Sequence, residues 1–525
     1  MYNGLGFGGI PPFGACADAI DTTSSECLNL LICVNQGTTH IEVVRALFPS
    51  QNVLPVSSTN DLYINMIDGN CNAIAEEQTG FAEAVVRLQG YTGPYETGVN
   101  QYSKEPLSVV TREGDPFWSD FVFWVVESLI AADEQGITQQ DAKTFITQTA
   151  FGYKYSEMFQ NAIAEVGNYG EMYSRHLESI VPRGSLNTIN NGSSGLLYAF
   201  PYGTLGIVGP SPAHAGTIQE IKRRGHVRCG IAASASFADF NRTTREWSGF
   251  DVDFCRALSA AIFDGVDSHV VYHELPATER FKVLANGDVD VLSGVTSKTP
   301  ERDRKEPTSG GVGFSFSPVI FYDGLSFGGI PPFGDCADRI DVSSANCTQL
   351  LICVNDGTTT IARTRELFPE SAIVPTLPGR DTVDAFNSKK CNAIGGSAQD
   401  ISETSVRIAG YTGEYEIGKN RFSKNALAIV NREDDAEFTN FIRWIVYSTF
   451  YAEEEGIGRE LANTMPQTTL FGPLYRNMLS NIINAVGNYG EIYRRNADTL
   501  APRNGSLNSL NIVPFGPEQY PLLYE

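Results

Sequence analysis

The chain repeats itself. YNGLGFGGIPPFGACADAIDTTSSECLNLLICV at 2–34 aligns without a gap to YDGLSFGGIPPFGDCADRIDVSSANCTQLLICV at 322–354, with 23 identities in 33 positions. The same offset of 320 carries GNCNAI into KKCNAI, GYTGPYE into GYTGEYE and VGNYGEMY into VGNYGEIY, and it slips by one at Asn504. Self-similarity on this scale requires either two cores or one core shared between copies. At 525 residues the chain exceeds what a single core usually holds, so at least two domains are expected. The duplication is incomplete: residues 216–321 precede the second copy and have no counterpart before the first.

That single-copy segment alternates helix and strand signals. GTIQEIKRRG reads as a short amphipathic helix closed by Gly225, HVRCGIA as a buried strand, and GFDVDFCRALSAAIFDG as a helix with Phe254, Leu258 and Ile262 at a spacing of four. ERFKVLANG and DVDVLSG add another helix and strand. Strands alternating with helices predict parallel α/β architecture. Between the copies, 190–216 is rich in Gly, Ser and Pro, as a linker should be.

Composition narrows the function. A net charge of −23 argues against nucleic acid and anionic membrane as partners. No apolar run reaches the length of a membrane span. FVFWVVESLIAA at 121–132 is interrupted by Glu127 and reads as a buried amphipathic helix. The N-terminal stretch has neither the basic nor the apolar region of a signal peptide. The six histidines are dispersed, no HExxH or CxxC occurs, and neither a metal nor a cofactor is expected. No GxSxG, Walker A or dinucleotide fingerprint is present, and the prolines of SFGGIPPFG (326–334) remove the donors a phosphate cradle needs.

GTIQEIKRRGHVRCGI, WSGFDVDFCRALSAAIF, VDVLSGVTSKTPERDR, GFSFSPVIFYDGLSF, CVNDGTTT and VGNYGEIYRRN follow one another in an order that resembles the polar amino-acid substrate-binding proteins of ABC transporters, in their general L-amino-acid-binding branch. The resemblance covers 216–525 and, through the repeat, 2–205. It implies a type II periplasmic-binding-protein fold, an α/β architecture of two lobes joined by hinge strands and closing on ligand, here in tandem. On that map 216–525 is a complete unit, with lobe 1 at 216–321 and 432–525 and lobe 2 at 322–431. The hinge falls near Ser317–Tyr322. Residues 1–205 form a truncated unit, lobe 2 at about 3–112 with return helices at 113–205, and 206–215 is the linker. The missing lobe and a signal peptide are expected upstream of Met1. The alternative is that the first copy borrows the one lobe 1, which would set Glu77 opposite Arg302.

The stretch SGVTSKTPER (293–302) lies in the single-copy lobe. A strand ends there, Thr299-Pro300 opens a helix, and Arg302 sits in its first turn. Free backbone N–H groups and a guanidinium both suit a carboxylate. The resemblance makes Arg302 the grip on the ligand's α-carboxylate, with Ser297 as hydroxyl partner and Thr299 beside it; a capped helix with a solvated arginine is the plain alternative. From lobe 2 it implies the GTT turn, Gly357, Thr358 and Thr359, or Gly37, Thr38 and Thr39 in the first copy, which equally suits a capped helix start. It also implies an acidic residue for the ammonium six positions after a cysteine. The first copy has Glu77 there and the second has Ser397, with Asp400 three residues on as a substitute. The second copy also reads KNAL (424–427) where the first has KEPL (104–107). Phe237 and Phe240 are candidate walls for the ligand side chain, or core.

The ten cysteines fall four in the first unit and six in the second, both even counts. On the implied lobe map they pair as Cys16–Cys27, Cys33–Cys71, Cys229–Cys255, Cys336–Cys347 and Cys353–Cys391, unless they remain buried thiols. Disulfides, and sequons at Asn191, Asn241, Asn346 and Asn504, point to a periplasmic or secreted protein. The function implied is extracytoplasmic capture of a free L-amino acid for an ABC permease that is not in this chain. Two alternatives stand beside it: a secreted disulfide-stabilised scaffold or sensor whose pocket has decayed, and a cyclohexadienyl-dehydratase-like enzyme using Asp400 or Glu77 as its acid.

Overall fold

A computed structural model describes residues 1–103, 105–147, 150–183, 187, 216–234, 236–303, 313–377, 381–398, 400–423, 425–498 and 503. The expected linker 206–215, the sequons Asn191 and Asn504, and Lys104 and Lys424 lie outside the described residues.

Three five-stranded sheets organise the chain. The first copy supplies one, in the order Val53–Val56, Ile32–Asn35, Ala73–Glu77, Leu5–Gly9, Glu96–Thr97. The second copy supplies its twin: Ile373–Thr376, Ile352–Asn355, Ala393–Gly396, Ser326–Gly329, Glu416–Ile417. Register is conserved to the residue, Gly9 facing Ala73 as Gly329 faces Ala393. The near-identical GGIPPFG strands fold antiparallel against their CNAI strands because Gly9 and Gly329 leave room for the neighbouring backbone: a Cβ at either would lie 2.6 Å from a carbonyl oxygen.

The third sheet comes from the single-copy segment, in the order Val270–Glu274, Val227–Ile231, Val291–Leu292, Val430–Arg432, Phe314–Phe316. The first three strands are parallel, and the strand returning from the lobe-2 side enters antiparallel. The predicted helices are Thr217–Arg224, closed by Gly225 at φ +84°, Phe250–Ile262 and Arg280–Ala285. Phe250–Ile262 is buried along nearly its whole length, which explains why its sequence is apolar on more than one face. Phe254 and Ile262 share one large core with Ile445, Ile482 and Tyr489 from the C-terminal helices Ala436–Glu454, Met478–Val486 and Tyr489–Asn496. Reciprocal capping boxes start the last helix of each copy, Asn488 with Glu491 and Asn168 with Glu171.

Phe321–Asp323 pairs antiparallel with Asn425–Leu427 to form the crossover between the two sheets of the second copy, as Tyr2–Asn3 pairs with Glu105–Pro106 in the first. This is the type II arrangement, with its hinge strand Phe321–Asp323 overlapping the C-terminal end of the expected Ser317–Tyr322. Cys16–Cys27, Cys33–Cys71, Cys229–Cys255, Cys336–Cys347 and Cys353–Cys391 are all disulfide-bonded. No helix among the described residues is long and apolar enough to cross a membrane.

Candidate functional site

The single-copy lobe closes on the sheet of the second copy. Three contacts cross the cleft. Ser297 Oγ lies 3.2 Å from Thr359 Oγ1. Ser234 Oγ donates to Asp400 Oδ1 at 3.4 Å. Gly357, at φ +70°, faces Thr278 so closely that a Cβ there would lie 2.8 Å from Thr278 Cγ2. The borrowed-lobe arrangement, with Glu77 opposite Arg302, is therefore corrected: the lobe's partner is the second copy.

The SGVTSKTPER stretch is a held turn and not a plain strand end. Val295 sits at φ +50°, costly for a β-branched residue. Its N–H donates 3.0 Å to Asp251 Oδ2, and Arg280 Nη1 donates 2.7 Å to the Gly294 carbonyl. Both side chains are buried. Burial raises the Asp251 carboxyl to about 7, and burial with the neighbouring Arg302 lowers Arg280 to about 9. Helix Pro300–Asp303 is one turn long, and Thr299 Oγ1 accepts from the Arg302 N–H at 3.4 Å. The Arg302 guanidinium is half-buried, donates 2.9 Å from Nη1 to the Ser297 carbonyl and lies 5.4 Å from the Phe281 ring centre. It is thus packed against the same residue whose hydroxyl meets Thr359.

On the lobe-2 side, Thr358 caps helix Thr359–Leu367 by accepting from Ile361 N–H. Thr359 is buried, and Asn425 of KNAL donates 3.3 Å to its Oγ1. Asn425 Oδ1 is buried and has no hydrogen-bond partner among the described residues. Ser397 Oγ accepts from Asp400 N–H at 3.0 Å. Asp400 is pushed above the usual carboxylate range by burial, although Ser397 and Ser234 oppose the push. Asp323 is raised to about 7, by burial first and then by the charge of Asp400. Two carboxyls therefore converge at the hinge end of the cleft.

The proposed aromatic walls separate. Phe237 is core, its ring 5.0 Å from Phe321 and 5.9 Å from Phe250. Phe240 is 40% exposed on the hairpin Asp239–Asn241/Glu246–Ser248 and packs on Trp247.

The first copy keeps the same turn without a cover. Around Thr38, His40, Tyr63, Glu76, Glu77 and Thr79 lies an open cleft of about 560 Å³. Gly37 has nothing within 4 Å of a Cβ position, and the Thr39 side chain lies outside the described residues. Glu77 accepts from Asn3 Nδ2 at 2.9 Å, and His40 Nδ1 lies 3.6 Å from Glu76 Oε1. Sequence reading missed Asp251, Arg280, Ser234 and Asp323. Only the last carried a signal, the change from Asn3 to an acid at the same repeat position.

Residues 227–367 match the family described as bacterial extracellular solute-binding proteins, family 3. A general L-amino acid-binding periplasmic protein of Rhizobium johnstonii is 30% identical over 319 residues, spanning 56% of this chain and 89% of that protein. A glutamate/glutamine/aspartate/asparagine-binding protein of Rhodobacter capsulatus is 28% identical over 307 residues, 54% of this chain and 86% of that one. Among solved structures, an ABC transporter/periplasmic binding protein from Brucella ovis with glutathione bound is 29% identical, covers 56% of this chain and 94% of its own, and superposes with a TM-score of 0.47.

Proposed function

Since the chain belongs to the bacterial extracellular solute-binding proteins of family 3, we propose that its second copy captures a free L-amino acid outside the cytoplasm by closing two lobes around it. Residues 216–525 would be the complete binding unit. Residues 1–205 would be an incomplete one. The observation that carries this reading is the half-buried Asp400 carboxylate at the cleft, reaching Ser234 of the opposite lobe. An α-ammonium seated there pairs with Asp400 and Asp323 and gives the unmatched Asn425 Oδ1 a donor. At the other end, Arg302, Ser297, Thr359 and the Gly357–Thr358 turn suit the α-carboxylate. An ABC permease absent from this chain would receive the ligand.

The relatives reported above bind solutes by name. Enzyme chemistry on this site would need a proton donor poised over substrate, and incubation with prephenate tests that directly. The direct Ser297–Thr359 contact favours a second reading, a scaffold whose cleft has closed for good. Calorimetric titration of the full chain with each L-amino acid separates them. Saturable heat is expected with at least one, and Arg302→Ala should abolish it; silence with all of them leaves the scaffold.

A further inference from the structure

The long helices of the two copies, Pro116–Gln135 and Ala436–Glu454, start at equivalent positions. Where they approach, the contacts are reciprocal under the 320-residue offset. Asn440 Nδ2 donates 3.0 Å to Glu113 Oε1. The counterpart pair is Asp120 with Glu433, and Glu433 acts electrostatically on Asp120. Reciprocal pairing of one surface with its own copy is the mark of a two-fold interface. Here it forms within one chain.

The same interface reaches the ligand turn. The Trp124 indole is fully buried, and its Nε1–H donates 2.9 Å to Asp303 Oδ2, the last residue of the one-turn helix that carries Arg302. Lys298, the neighbour of Ser297, sets its ammonium 3.7 Å from the centre of the Phe123 ring. Phe123 and Trp124 thus grip two residues that bracket Thr299. The charged groups that converge are Lys298 and Asp303 from the single-copy lobe, Glu433 and Arg443 from the second copy and Asp120 from the first.

We propose that the first copy is a positioning element for the second: its helix docks as a pseudo-two-fold partner, and Phe123 and Trp124 fix the backbone from Ser297 to Asp303 that presents the ligand-facing groups. A buried indole N–H on a buried carboxylate is specific in direction, so it sets where the turn sits. The first copy then serves the second by contact.

Hydrogen exchange on the full chain tests this without any ligand. Trp124→Phe, which keeps a ring and removes the donor, should speed exchange of the Arg302 and Asp303 amides at least tenfold. Amides of the Ala393–Gly396 strand should not change. Lys298→Gln should loosen the same turn, which guards against misfolding of the tryptophan variant. Asp303→Asn, which still accepts from the indole, should keep the protection that Asp303→Ala loses. Unchanged exchange at 302–303 in both Trp124→Phe and Lys298→Gln overturns the proposal. The effect on binding rests on the amino-acid reading: an equimolar L-amino-acid mixture should bind several-fold more weakly to Trp124→Phe. If the mixture binds neither protein while the turn loosens, the amino-acid reading fails and the positioning role stands.

Discussion

The two copies of the GTT turn differ in what faces them. Gly37 and Gly357 share the left-handed backbone, at φ +82° and +70°. Among the described residues nothing lies within 4 Å of a Cβ at Gly37, while Thr278 of the single-copy lobe presses on Gly357. Their acids differ in step. The open copy carries Glu76 and Glu77 at the strand end and Asn3 on the crossover. The closed copy has Gly396, Ser397 and Asp323 there, and adds Asp400 where the first has Gly80. The charge was moved, not lost. A carboxylate three residues on approaches from the start of the next turn, where a Cβ at Gly396 would lie 3.4 Å from Asp400 Cβ. On the proposed reading, the acid absent at Ser397 is replaced by Asp323 and Asp400, which the pairing of Ser326–Gly329 with Ala393–Gly396 brings together.

The largest expected effect breaks that comparison outright. Asp400→Asn should weaken amino-acid binding by more than 100-fold, because leaving a buried ammonium without its charge partner costs about 3–5 kcal/mol and each 1.4 kcal/mol is tenfold. Glu77→Gln in the first copy should leave calorimetric affinity unchanged. Equal losses in the two variants would mean that the open copy carries the site.

Acidity sharpens it next. Asp323 is raised to about 7 and Asp400 is raised with it, both chiefly by burial. In the unliganded fold, protons held by these acids stabilise the protein at low pH, and that contribution fades as pH rises through about 7. An ammonium demands the ionised forms, so binding releases protons. Affinity should rise about tenfold from pH 6 to pH 8, and the ligand-induced shift in Tm should grow with it. A flat profile would detach these carboxyls from the ligand.

Smaller again is the contrast of Gly37→Ala with Gly357→Ala. Each forces a side chain into a left-handed conformation and should lower stability by about 1 kcal/mol. Only Gly357→Ala also meets Thr278, so only it should lose affinity, by several-fold. Matching affinities would mean that the lobes do not close as far as Thr278 when ligand is bound.

Much of the architecture was legible because repeats and helix caps are local. Gly225 ends its helix, and Cys33 and Cys353 fall on strands whose neighbours the repeat defines. The ligand turn was legible only as a sequence of residue types. That Val295 needs Asp251 and Arg280 to hold it depends on segments up to 44 residues away folding over one another. Asp323 and Asp400 are 77 positions apart, and nothing periodic links them; pairing of Ser326–Gly329 with Ala393–Gly396 does. The helix at 116–135 was readable as buried from its apolar pattern, but its partner was not, because Trp124 finds Asp303 across 179 residues.

The last prediction uses that helix contact, where the copies differ by a single atom type. At the position where the second copy has Asn440, the first has Asp120. Burial, then Asp303 and Glu433, raise Asp120 to about 10. A raised acid keeps its proton in the fold and loses it on unfolding. Its contribution is complete below about pH 4 and drains away as pH rises towards 10. Asp120→Asn mimics the protonated acid and can donate to Glu433 as Asn440 donates to Glu113. The variant should therefore match the native chain in Tm at pH 4.5 and exceed it by a few degrees at pH 9. If the two melt together at pH 9, Asp120 is ionised and solvated in the fold, and the reciprocal interface does not close around it.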